Sequence, residues 1–155
     1  MRLTRFTDYS LRVLMYAAMA PAGRTTIADI AKAFGISQHH LTKVVHHLGR
    51  LGVLANTRGR NGGVGLARAA ARINLGEVVR ATEGTGHPAE CTGADGDCPI
   101  AGTCRLEHVF GEAMTAFYAA LDRYTLADLL VNKKALVAVL DRRPAPPAAA
   151  AAACR

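Results

Sequence analysis

The six residues Arg58-Gly59-Arg60-Asn61-Gly62-Gly63 constrain this chain more than any other stretch. Three glycines and an asparagine supply the left-handed backbone conformations of a tight reversal. The runs on either side, Val53-Leu54-Ala55-Asn56-Thr57 and Val64-Gly65-Leu66-Ala67-Arg68, read as short strands. Together they predict a β-hairpin with two arginines at its tip. A phosphate-cradling enzyme loop is the rival reading, and context disfavours it: no helix opening with Gly-Lys-Ser/Thr follows the glycines.

The segments upstream give the hairpin its meaning. Phe6, Tyr9, Val13, Tyr16, Ala17 and Ala20 recur at helical spacing, so a first helix is expected over about Asp8 to Ala20, with Thr7 as N-cap and Pro21-Ala22-Gly23 closing it. Thr26 can cap a short helix carrying Ile27, Ile30, Ala31 and Phe34, and Gly35 ends it. Ser37 opens the next helix. Its apolar stripe is Leu41, Val44, Val45, Leu48 and Leu51; Gln38, His39, Thr42, Lys43, His46, His47 and Arg50 are expected to face outward. Two short helices joined by a tight turn also suit an ordinary helical hairpin. Followed directly by an arginine-tipped β-hairpin, they predict a winged helix-turn-helix. In that frame Gln38, His39, His40, Thr42 and Lys43 are the expected base or phosphate contacts, and Arg58 and Arg60 clamp the neighbouring groove.

Charge agrees. Residues 1 to 73 carry eleven basic side chains, nine of them Arg, against only Asp8 and Asp29, whereas residues 74 to 155 carry eight basic and ten acidic ones. A basic half suits a polyanion, nucleic acid or an anionic lipid surface, because both reward Arg and Lys. No apolar run approaches the length of a bilayer span, and the run from about Val13 to Ala22 fits an amphipathic helix better than a secretory signal. A cytoplasmic chain with no membrane partner is therefore expected. In a reducing compartment its four cysteines, at 91, 98, 104 and 154, suit metal or redox chemistry rather than disulfides.

Residues 74 to 84 read as a short helix closing the DNA-binding half, and a loop rich in Gly, Asp and Pro follows to Thr103. Leu106, Val109, Phe110, Ala113, Met114, Phe117, Ala120, Leu121 and Tyr124 then recur at three and four, a long one-sided helix. In so small a chain such a helix is expected to cross to a second subunit, and a two-fold homodimer matches a palindromic site on double-stranded DNA. Short helical pieces at 125–130 and 136–140 are expected to pack on it, and the Pro/Ala-rich end is low in complexity, with Cys154 incidental. The expected architecture is mainly α with a small β-hairpin: a winged helix-turn-helix domain over 1–84, a cysteine-rich loop over 85–104, a dimerisation helix and helical pieces over 105–141, and a disordered tail over 142–155.

Cys91, Cys98 and Cys104 are spaced C-x6-C-x5-C, longer than the knuckles of a structural zinc site and one ligand short of closing it. Spread thiolates suit a cuboidal iron-sulfur cluster; zinc and a thiol redox switch stay open as alternatives. The fourth ligand is open too, between His108, near the last cysteine, and a group from the N-terminal region. The histidines at 39, 40, 46 and 47 are poor candidates, being placed on the recognition helix at seven-residue intervals.

The combination resembles the BadM/Rrf-type winged-helix regulators, and within them the nitric-oxide-sensing repressors. The resemblance covers residues 1 to about 132 and rests on Leu3-Thr4-Arg5-Phe6-Thr7-Asp8-Tyr9-Ser10-Leu11-Arg12, Arg58 to Gly63, the three-cysteine loop, and Tyr124-Thr125-Leu126-Ala127-Asp128-Leu129. It implies a homodimer with one cluster per subunit, usually 4Fe-4S, repressing nitrosative-stress genes until nitric oxide arrives, and no enzymatic activity. It also implies Asp8, from the other subunit, as fourth ligand. The branch that regulates cluster biogenesis instead uses a His shortly after its last Cys and a basic residue at position 8; His108 is offset by one from that pattern. Six residues between the first two cysteines, rather than four or five, depart from the resemblance and affect the loop path. Two competing functions remain: a same-family regulator sensing cluster status or redox, for which Asp8→Ala leaves the cluster intact, and an electron carrier or cluster enzyme, which leaves the hairpin unexplained.

Overall fold

The computed structural model describes residues 2–21, 23–57, 63–84, 98–100 and 103–142, and these are mainly helical with one two-stranded sheet. In chain order they form α1 (Arg5–Met19), α2 (Ile27–Phe34), α3 (Gln38–Arg50), β1 (Leu54–Thr57), β2 (Gly63–Leu66), α4 (Leu75–Glu83), α5 (Leu106–Asp122) and α6 (Lys133–Arg142), with 3-10 turns at Ala70–Arg72 and Asp128–Leu130. No helix among the described residues is long and apolar enough to cross a membrane.

The helix starts follow from their caps. At α2 the Thr26 side chain accepts from Asp29 N–H while the Asp29 carboxylate accepts from Thr26 N–H, a reciprocal box, and Gly35 closes the helix at φ 68°. Asn74 caps α4 by accepting from Glu77 N–H. The first helix corrects the expected start: it begins at Arg5, with Thr4 as N-cap and not Thr7. Thr7 is fully buried and donates from its hydroxyl to Thr82 Oγ1 at 2.9 Å, tying α1 to the end of α4.

β1 and β2 pair antiparallel, Leu54 opposite Leu66 and Thr57 opposite Gly63, so the strand that was expected from Val53 to Thr57 starts one residue later and its partner ends at Leu66. The sheet is extended by one bridge: Thr25 N–H donates to Val64 O at 2.9 Å and Val64 N–H to Thr25 O at 2.7 Å. Gly65 permits this, because a Cβ there would lie 2.6 Å from Gly23 O. Hairpin and α1–α2 turn are therefore one unit.

The core gathers Val13, Leu14 and Ala17 of α1, Ile30 of α2, Leu41, Val44, Val45 and Leu48 of α3, Leu54 and Val64 of the hairpin, and Ile73 and Val78 around α4. Leu51, which the apolar stripe placed inside, is 39 % exposed, because it caps α3 as the chain turns away at Gly52. After α5 the chain returns: Leu126 N–H donates to Ile73 O at 2.8 Å, Leu75 N–H to Tyr124 O at 3.0 Å, and Leu126 is fully buried. Leu48 is among the side chains with no exposure, so Leu48→Ala is expected to cost about 2–5 kcal/mol of unfolding free energy in a urea titration. A loss well under 1 kcal/mol would place α3 outside the core.

α5 behaves differently. It spans 17 residues and none of them is buried. Leu106 and Val109 are 47 % and 54 % exposed, so the start of its apolar stripe is left open by its own chain, whereas Phe110, Met114, Phe117 and Leu121 are partly buried. At its far end it is fixed to α4: Arg80 donates to both oxygens of Asp122 at 2.7 and 2.6 Å and lies 4.7 Å over the Tyr118 ring, and Asn74 Nδ2 donates to Asp122 O. The Arg80 hydrogen bonds hold the Asp122 carboxyl below the ordinary carboxylate range.

Candidate nucleic-acid interface and metal centre

α3 presents Gln38, His39, His40, Thr42 and Lys43 as exposed side chains, all on its first two turns. The apolar residues between them, Leu41, Val44 and Val45, are buried, which aims the polar ones outward. The Thr42 hydroxyl donates to Gln38 O at 2.8 Å, so toward a ligand it offers its oxygen lone pair and its methyl group rather than a donor. The His40 ring stacks beside Tyr9 of α1 at 6.4 Å and beside His39 at 6.1 Å. His47 corrects its expected outward position. It is half-buried, its ring edge-on to Phe6 at 5.3 Å, and its Nε2 lies 3.1 Å from Ala81 O, where it bonds α3 to α4. Arg58 and Arg60, the expected wing contacts, lie outside the described residues.

Of the expected metal ligands, Cys98 and Cys104 are described and Cys91 is not. Both described thiols are free and partly buried. Cys104 stands just ahead of α5, where Leu106 N–H donates to its Sγ at 3.4 Å. That helix has no side-chain cap at Arg105, so the sulfur satisfies one of its first backbone donors. One turn on, His108 shares with Cys104 an open groove along α5 that continues over Glu112 and Thr115.

Asp8 sits in the first turn of α1, and both its oxygens are engaged by Arg12: Nε donates to Oδ1 at 3.0 Å and Nη2 lies 3.0 Å from Oδ2. The same guanidinium lies 5.7 Å over the Phe34 ring of α2. The residues described in one subunit do not bring Asp8 to the cysteines: among them no three of His, Cys, Asp and Glu gather closely enough to hold a metal ion. A soft sulfur donor at the head of a helix nevertheless fits a thiolate-bound iron-sulfur group, and the described residues of one subunit are short of ligands for it. Residue reading missed Arg12 as the partner of Asp8, although its spacing of four on a helix signals such a pair.

Comparison with known proteins identifies the family. The family model Rrf2, described as "Iron-dependent Transcriptional regulator", matches residues 3–132. A relative from Geobacillus kaustophilus, named HTH-type transcriptional regulator NsrR, is 47 % identical over 145 residues, covering 92 % of this chain and 99 % of its own. The Bacillus subtilis protein of the same name is 46 % identical over 142 residues, covering 90 % and 97 %. Among solved structures, T. potens IscR superposes with a TM-score of 0.68 at 22 % identity over 85 % of this chain and 88 % of its own. The oxidized form of Staphylococcus aureus CymR gives 0.67 at 21 % identity over 84 % and 97 %. These two likenesses bear on the fold. With the family model spanning most of the sequence and relatives near half identical end to end, the chain belongs to the Rrf2 family of transcriptional regulators.

Proposed function

We propose that this regulator is a homodimeric repressor that binds a palindromic operator on double-stranded DNA, holds one iron-sulfur cluster per subunit, most simply 4Fe-4S, and releases the operator when nitric oxide arrives. The observation that carries it is the free Cys104 thiol at the head of an apolar helix whose first turn its own chain leaves open. The nitric-oxide signal comes from the branch the sequence resembles and from the name its relatives share. Cys91, Cys98 and Cys104 would hold the cluster with Asp8 of the partner subunit as fourth ligand. When bound, the group supplies iron that a diatomic molecule can attack.

The chain's own residues do the rest. Gln38, His39, His40, Thr42 and Lys43 meet the major groove, and Arg58 and Arg60 grip beside it. Cys104 stands on the head of α5, and Arg80 with Asp122 fastens α5 to α4, so this thiol and the DNA-binding helices share one frame. If Asp8 held the cluster, its carboxylate would give up or share Arg12, whose guanidinium stands on Phe34 of α2. Ligation and the helix-turn-helix are thereby in contact.

Lys43→Ala is expected to weaken operator binding by about 1–3 kcal/mol if Lys43 reads a base, or to lower the salt slope by about one charge if it meets a phosphate. Fluorescence anisotropy over a salt series separates the two, and unchanged binding would displace α3 from the groove. Asp8→Ala is expected to give a cluster that bleaches faster in air, while His108→Ala bleaches like the parent. The reverse pattern, followed by visible absorbance, would make His108 the ligand and favour sensing of cluster status.

A further inference from the structure

The helical pieces expected to pack on α5 lie elsewhere: the 3-10 turn Asp128–Leu130 rests on α1, and α6 turns to α1 and α2. It lies against the C-terminal end of α1 and against α2, with Lys133 Nζ donating to Ala18 O at 3.4 Å near one end. Toward its other end a cleft of about 270 Å³ opens between the three helices. Its wall is apolar where Met19, Val137 and Leu140 meet, and it carries three charged groups: Arg24, Asp29 and Asp141. None of these three forms an ion pair with another described side chain. A cation and two anions that line one cleft without closing on each other leave a gap that a molecule bearing both charges can fill.

The cleft is built rather than incidental. Asp29 is oriented by the α2 capping box, which occupies its Oδ2 through Thr26 N–H and Oγ1 and leaves Oδ1 open. Tyr16 is locked edge-on against Phe34 at 5.9 Å. Tyr16 lines the cleft with Asp29 and Asp141, and burial first, then the charges of these two carboxylates, push its hydroxyl above the ordinary phenol value. The volume is just below the range of drug-sized sites and suits a free amino acid.

We propose that this cleft binds a small zwitterion of the α-amino-acid class, with Asp29 and Asp141 facing its ammonium, Arg24 its carboxylate, and Met19, Val137 and Leu140 its apolar side chain. None of the residues assigned to the cluster or to the α3 interface takes part. The site is a second input to the regulator, and it touches the DNA-binding unit directly: Thr25, in its wall, bonds to Val64 of the hairpin and precedes the α2 cap.

The test is calorimetric titration of the full-length protein, with and without its cluster, using L-valine, L-leucine and L-methionine as probes. Isopentylamine and 4-methylpentanoate represent leucine without its carboxylate and without its amine. At least one amino acid is expected to bind with one site per chain in both forms, and each half-molecule to bind about tenfold or more weakly, because each leaves a charged group unpaired. Asp141→Asn and Arg24→Gln, both at exposed positions, are expected to lose about tenfold in affinity while melting temperature and cluster absorbance stay at parent values. No binding by any of the three up to about 10 mM, half-molecules as good as the whole, or binding indifferent to both variants would overturn the proposal.

Discussion

Cys104→Ala, purified without oxygen, is expected to be colourless and to hold its operator about 1000-fold more weakly than the parent, a difference of about 4 kcal/mol. The size of the effect follows from where the residue stands. Its sulfur is at once an expected iron ligand and the group that accepts Leu106 N–H at the uncapped start of α5. Alanine removes both, so the expected cluster loses a ligand and the start of the helix loses its sulfur acceptor in one change. Cys104→Ser separates the two: a hydroxyl can still accept the N–H but is a poor substitute for a soft thiolate. Serine is therefore expected to restore stability without restoring colour or operator binding. Urea midpoints, visible absorbance and anisotropy on operator DNA read the three properties. A colourless Cys104→Ala protein that still held the operator like the parent would uncouple the cysteines from DNA binding.

Val109→Glu is expected to convert the dimer to monomer and to abolish operator binding at concentrations where the parent saturates. Val109 is 54 % exposed on a helix that has no buried residue, so in a single subunit the substitution adds a carboxylate to an already open face. In a dimer built on that face the carboxylate has to be desolvated without a partner, at a cost of several kcal/mol. Weakening of about 100-fold or more in self-association is the expected result, with the melting temperature of the monomer close to that of the dilute parent. Sedimentation velocity distinguishes this from misfolding. A variant that remained dimeric would move the interface off α5.

Much of the fold can be read from residue order. Thr26, Asp29 and Gly35 bracket α2 through interactions no more than five residues apart, and the glycines around the hairpin act locally. What was missed is non-local. Thr7 resembles a cap by type, but the hydroxyl turns inward to Thr82, 75 residues away, and the cap falls to Thr4. The periodicity of α3 places His47 outside; its contacts with Phe6 and Ala81 come from α1 and α4, which no local pattern contains. The return of Leu126 to Ile73 is of the same kind.

The candidate site divides along the same line. Cysteines and outward polar residues on α3 are legible from type and order. The choice between Asp8 and His108 is not, because it depends on which surfaces two subunits bring together. His108 shares a groove with Cys104 in one chain, whereas Asp8 is held by Arg12 within α1. Arg80 and Asp122 carried no signal at all: they are 42 residues apart and pair only once α5 lies along α4.

The central claim is that one metal centre, held by the cysteines, governs operator binding by a dimer. Its most direct test is to purify the protein without oxygen and titrate it with nitric oxide, recording absorbance, native mass and operator binding on the same sample. The account predicts a brown dimer with iron and sulfide near four per subunit, bleaching in step with release of the operator. A colourless zinc protein, or a coloured one that keeps its operator after nitric oxide has been added in excess, would contradict it.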